Sequence, residues 1–119
     1  MIRIKINDQI FTADFKDVPA ANELIEKMPF TIHMSDLSNK EKYYYLDCSL
    51  SSATAYCPST IYEGEIMCWS RDTLVIFYKN FSNSYGGYVK LGRIKELDEL
   101  TSLLKKNQSI EATFSLLEE

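Results

Sequence analysis

The sequence predicts a mostly β domain, a small closed barrel of about eight strands with two short helices. Three observations carry that expectation. Apolar and polar residues alternate over most of the chain, the period of a strand with one covered face. The stretch from Glu65 to Lys79 holds two densely apolar runs joined by Ser70-Arg71-Asp72. Only two segments show helical spacing, and closing the strands into a barrel removes the exposed edges of an open sheet.

Ile2, Ile4 and Ile6 alternate with Arg3 and Lys5, and Asn7-Asp8 follows as a pair tolerant of positive φ. Phe11, Ala13 and Phe15 then alternate with polar neighbours, completing an opening hairpin. Asp17 is expected to cap a helix whose first turn holds Pro19, where the missing N–H costs little. Ala21, Leu24, Ile25 and Met28 share one face of that helix, and Pro29 stops it. Phe30, Ile32 and Met34 mark the next strand, Asp36 to Lys40 has turn chemistry, and Tyr43 to Leu46 reads as a strand with aromatic surface on both faces. The small, polar run from Asp47 to Thr60 reads as a loop. A connection that long inside one domain is more often functional than incidental.

Ile66–Trp69 and Thr73–Tyr78 form the strongest hairpin signal, and the second run suits a strand covered on both faces. Asn80 to Gly87 is a second polar loop, closed by Gly86-Gly87. Tyr88 to Ile94 follows as a strand, with Gly92 marking a bulge or a close backbone approach. Glu96 to Lys105 is the second helix, carrying Leu97, Leu100 and Leu104 on one stripe, acids early and bases late. Ile110, Ala112, Phe114 and Leu116 alternate in the last strand. With no repeat and no linker, residues 1–119 read as a single domain.

A chain of 119 residues can bury a core without disulfide or metal staples. Its net charge of −4 and scattered Lys and Arg argue against a nucleic-acid partner. No apolar run approaches the roughly 20 residues a bilayer requires, so no membrane partner is expected. The alternating start lacks the apolar core of a signal peptide, which places the protein in the cytoplasm. Cys48, Cys57 and Cys68 lack metal-site spacing. Cys48 and Cys57 share a loop and are placed to pair under oxidation, whereas a reducing cytoplasm keeps all three as thiols.

Pro58-x-x-Ile61-x-x-Gly64-Glu65-Ile66-x-x-Trp69 is followed by Leu74-Val75-Ile76-Phe77-Tyr78. Met28-Pro29, Met34-Ser35-Asp36-Leu37, Glu41-Lys42, Ser84-Tyr85 and Leu91-Gly92-Arg93-Ile94 belong with them. This ordered set resembles the bacterial cyclophilin-like fold proteins. One departure is Gly64-Glu65, where that family usually has Gly-Asp, which keeps the charge and lengthens its reach. The resemblance implies a closed barrel of about eight strands with a helix covering each end. It does not supply a reaction.

Peptidyl-prolyl isomerisation, borrowed from true cyclophilins, relies on an arginine near the prolyl imide nitrogen to ease a barrier of roughly 18–20 kcal/mol. The Phe-His-Arg run of those enzymes is absent, and of Arg3, Arg71 and Arg93 only Arg93 is placed to face a cleft. A hydrolytic triad would have to use His33, the single histidine, which falls on a polar strand face. Glu63 and Glu65 share a strand face and read as a strand-entry feature rather than an acid–base pair. No catalytic residue, metal site or cofactor is expected. The aromatics point instead to non-catalytic binding of a peptide segment or small molecule. The candidate ligand-binding residues are Glu41, Tyr43, Tyr45, Glu65, Trp69, Tyr78, Tyr85 and Arg93. Low or atypical isomerase activity, or self-association through exposed tyrosines, are the alternatives, and a monomer or weak homodimer is expected.

Overall fold

The computed structural model describes residues 1–117. The opening alternation folds as the hairpin β1 (Ile2–Ile6) and β2 (Gln9–Phe15), turning through Asn7 at φ 53°. Helix α1 (Pro19–Glu26) starts one residue later than Asp17 would cap it. Pro19 excludes helical geometry from the residue before it, so extended Val18 takes the cap position without a side-chain bond. Asp17 instead accepts a hydrogen bond from Asn22 Nδ2 at 3.0 Å. Met28 lies beyond the helix end but still packs on the core.

Strand β3 (Phe30–Leu37) runs further than its apolar residues suggest, and β4 (Glu41–Tyr45) begins before its tyrosines. Asp36 therefore belongs to a strand, and the turn is confined to Ser38, Asn39 and Lys40. The cause is a polar pair on the covered face: Asp36 and Lys42 stand opposite each other and interrupt the apolar alternation.

The remaining elements are β5 (Thr60–Ile61), β6 (Glu65–Trp69), β7 (Thr73–Phe77), β8 (Phe81–Ser82), β9 (Tyr88–Ile94), α2 (Leu97–Lys106) and β10 (Ser109–Leu116). Eight strands close into a barrel in the order β1-β10-β3-β4-β7-β6-β9-β2. Every pairing is antiparallel. Strand β2 thus ends, and β3 begins, at one end of the barrel, whereas β9 ends and β10 begins at the other. The helices that join them close opposite ends, burying Ala20, Ala21 and Leu24 of α1 and Leu100 and Leu104 of α2.

Strands β5 and β8 form a separate two-stranded sheet, β5 at the end of the loop read from Asp47 to Thr60 and β8 inside the one read from Asn80 to Gly87. It packs on the outer face of the barrel, where Ile61, Met67, Val75, Phe77 and Tyr88 make a second apolar cluster bordered by Tyr43 and Phe81. That cover explains β7, whose residues are all buried, Leu74 and Ile76 inward and Val75 and Phe77 outward. Gly92 fulfils both roles its position suggested. The β6–β9 register shifts beside it, and a Cβ there would lie 2.4 Å from the Asp14 carbonyl oxygen.

Candidate functional site

Period-two geometry puts Glu41, Tyr43 and Tyr45 of β4 on the outside of the barrel. Their cross-strand partners on β7 are Phe77, Val75 and Thr73. Trp69 ends β6 opposite both Thr73 and Tyr88. Facing this wall, β8 and the residues after it, from Phe81 to Tyr85, form a rim. The two flank a groove of about 530 Å³, which Leu37, Ser38 and Lys40 also line.

The rim is braced. Asn83 Nδ2 donates to the carbonyls of Pro58 and Tyr85, each at 2.8 Å. Trp69 Nε1 donates to the Gly86 carbonyl at 3.1 Å, tying the end of β6 to the same segment. Tyr56 and Tyr88 exchange backbone hydrogen bonds of 2.9 and 3.1 Å, which fastens the long loop after β4 to β9. The wall holds two aromatic groups: ring centroids stand 5.4 Å apart for Tyr43–Tyr45, and 6.4 Å for Trp69–Tyr88 and 6.1 Å for Phe77–Tyr88.

Lys40 and Glu41 are the charged residues of the lining. Burial pushes the Glu41 carboxyl up to about 7; nearby Lys40 opposes the rise and Asp36 adds to it. Burial, then the proximity of Glu41, pushes the Tyr88 phenol up to about 12. The Lys40 ammonium lies over the Phe81 ring, 4.7 Å from its centroid. Glu41 takes part in none of the ion pairs among the described residues.

A closed eight-stranded barrel capped by two helices agrees with a match to the cyclophilin-like family model over residues 4–115. The chain belongs to the cyclophilin-like family. Among solved structures, that of McbB in complex with tryptophan is similar, with a TM-score of 0.75 at 14% sequence identity. The match covers 100% of this chain and 45% of McbB, so the chain spans less than half of that protein's length. The likeness establishes a shared fold. No curated protein matches the sequence.

Of the residues singled out from this cyclophilin-like sequence, Glu41, Tyr43, Tyr45, Trp69 and Tyr85 meet around the groove. Tyr78, Glu65 and Arg93 lie elsewhere. Tyr78 falls on the inward parity of its strand run, is 2% exposed, and donates its hydroxyl proton to Asp36 inside the barrel. Glu65 is buried: one carboxylate oxygen accepts the Tyr62 N–H at 2.7 Å and the other pairs with Lys90 Nζ at 2.7 Å. Its longer side chain thus shapes the entry to β6. Arg93 is exposed on β9, opposite Asp14 and Glu65, away from the groove.

Glu63 does not share a strand face with Glu65, because it sits in the turn before β6, where its N–H donates to Asn80 Oδ1. His33 is exposed, 3.2 Å from Glu111. The three cysteines are free, and burial pushes the Cys68 thiol up to about 11. No group of three or more potential metal ligands occurs among the described residues, and none of their helices is long and apolar enough to cross a membrane. Sequence reasoning left Tyr88, Val75, Phe81, Asn83 and Lys40 out of the site. Tyr88 carried a signal, an aromatic at the start of a strand, but its place in the groove depends on the β6–β9 register.

Proposed function

We propose that this cyclophilin-like domain is a binding module that holds a peptide segment or small molecule in the groove between β4 and β8. The observation that supports the reading is the groove itself. Its volume of about 530 Å³ lies within the roughly 300–1,000 Å³ usual for small-molecule sites, and six aromatic residues border it. Tyr45 and Tyr85 are 66% and 68% exposed, which leaves large aromatic surfaces free to cover a ligand. The arginines are absent from the lining, so the isomerase chemistry of true cyclophilins gains no support from it. A cytoplasmic location belongs to the same reading, supported by the three free thiols. Light scattering should show a monomer or weak homodimer.

Trp69 is the single tryptophan and stands on the groove wall, so its emission reports occupancy. A screen of peptides and metabolites should include indoles, because the similarly folded McbB is known with tryptophan. A ligand at about a hundred times its Kd should stabilise the fold by ~2.7 kcal/mol and shift Trp69 emission. Tyr43→Ala should weaken both effects. A broad screen without thermal shift or emission change would sink the reading.

A further inference from the structure

We infer that the groove selects ligands carrying a protonated amine on an apolar or aromatic body, with the amine seated against Glu41. This rests on the binding reading above. It goes further by assigning the charge of the ligand and the residue that reads it.

Glu41 differs from the other enclosed carboxylates. Asp36 is bonded to Lys42 and Tyr78, Glu65 to Lys90 and the Tyr62 N–H, and Glu96 to both the backbone and hydroxyl of Thr12. Each is matched by donors from the chain. Glu41, flanked by the buried ring of Phe77 across the strand pair, has no such donor among the described residues. A carboxylate taken partly out of water without a partner is costly, and that cost is relieved when a cation or strong donor arrives.

The rest of the lining favours the same kind of ligand. Lys40 is the adjacent cation, yet its ammonium sits on the Phe81 ring rather than in an ion pair with Glu41. The rim thus already holds one ammonium against an aromatic face, the contact a ligand amine would repeat on Tyr43 or Tyr88. An anionic ligand would gain Lys40 alone and face Glu41 and, behind it, Asp36. A neutral ligand would strip water from Glu41 and return at most an uncharged hydrogen bond, weaker than an ammonium gives. The raised proton affinity of Glu41 agrees with an unmet cation site, and amine binding near neutral pH should release a proton.

The test uses three probes of similar size: phenethylamine, 2-phenylethanol and 3-phenylpropionate, each titrated at pH 8 against Trp69 emission. The amine should bind at least tenfold more tightly than the alcohol, and the propionate most weakly. Glu41→Gln should level amine and alcohol while leaving the alcohol response intact, which also shows that the variant is folded. Lys40→Ala should strengthen amine binding. Equal binding of amine and alcohol, or a preference that survives Glu41→Gln, overturns the inference and leaves groove binding standing. Silence from all three probes overturns the inference too, and only the broad screen failing as well would remove the binding reading.

Discussion

Asp36 and Glu41 flank the same β3–β4 turn, but one carboxylate faces into the barrel and the other faces the groove. Asp36 is 5% exposed and fully engaged. Its Oδ1 receives Lys42 Nζ at 2.8 Å and the Tyr78 hydroxyl, and its Oδ2 accepts the Asn39 N–H at 3.1 Å. Lys42 also donates to the Asn107 carbonyl at 2.6 Å, just past the end of α2, where a helix favours positive charge. Burial alone would raise the Asp36 carboxyl; the bonds from Lys42, Tyr78 and Asn39 outweigh it and hold the group below its ordinary range. For Glu41 burial prevails. Two neighbouring acids thus have opposite surroundings, one locked into the barrel and one lining the groove outside every ion pair among the described residues.

The largest effect should come from breaking the locked side. Lys42→Met leaves Asp36 enclosed with its cation gone and should cost ~3–5 kcal/mol in urea denaturation. Combining it with Asp36→Leu should recover most of that loss, since no unpaired charge then stays buried. A single-variant cost under ~1 kcal/mol would show that the inner trio contributes little, and the contrast with Glu41 would collapse.

How much of this was legible in the sequence follows from the same physics. Strands with one covered face announce themselves by alternation, which is why Ile2–Ile6 and Ile110–Leu116 were readable. Tyr43 and Tyr45 were readable together because a single strand fixes their common face, whereas Glu41 stood before the expected start of that strand and joins the face only because β4 begins with it. Tyr78 was not, because the run from Thr73 is covered on both sides and has no alternation to separate in from out. Strands β5 and β8 pair two residues each, too few to show a period, and they exist because the barrel's outer cluster needs cover. Nothing in the local pattern marks Lys42 as buried. Only the β3–β4 register, which no local pattern encodes, puts it opposite Asp36.

The next effect separates the two acids by pH. The folded-state value of Glu41, about 7, lies above its ordinary 4.5, so the folded protein holds that proton more tightly. Its contribution therefore favours folding at low pH and is lost as pH rises through about 7. Glu41→Gln should stabilise the protein by ~1–2 kcal/mol at pH 8, allowing for solvent screening in an open groove, and change little at pH 4. Asp36 has the opposite sign: its value is lowered, so its stabilising contribution stands above its ordinary 3.8 and fades as pH falls. Asp36→Asn should accordingly cost most at neutral pH. Matching pH profiles for the two variants would dissolve the distinction between them.

The smallest expected change in stability is at Tyr85, and its value lies in what else moves. The side chain is 68% exposed on the rim, so Tyr85→Ala should alter stability by less than ~0.5 kcal/mol. Its ring nevertheless borders the groove, and an aromatic surface already exposed gains most from a ligand that covers it. The variant should therefore lose severalfold in affinity for any groove ligand while its melting curve stays in place. Lys42→Met should do the reverse, since Lys42 is turned into the barrel and lines no part of the groove. If Tyr85→Ala left binding untouched, the ligand would have to sit nearer β4 and β6, against Tyr43 and Trp69. If it destabilised the fold, Tyr85 would brace the rim, a task the Asn83 bonds to Pro58 and Tyr85 carbonyls are placed to perform without its ring.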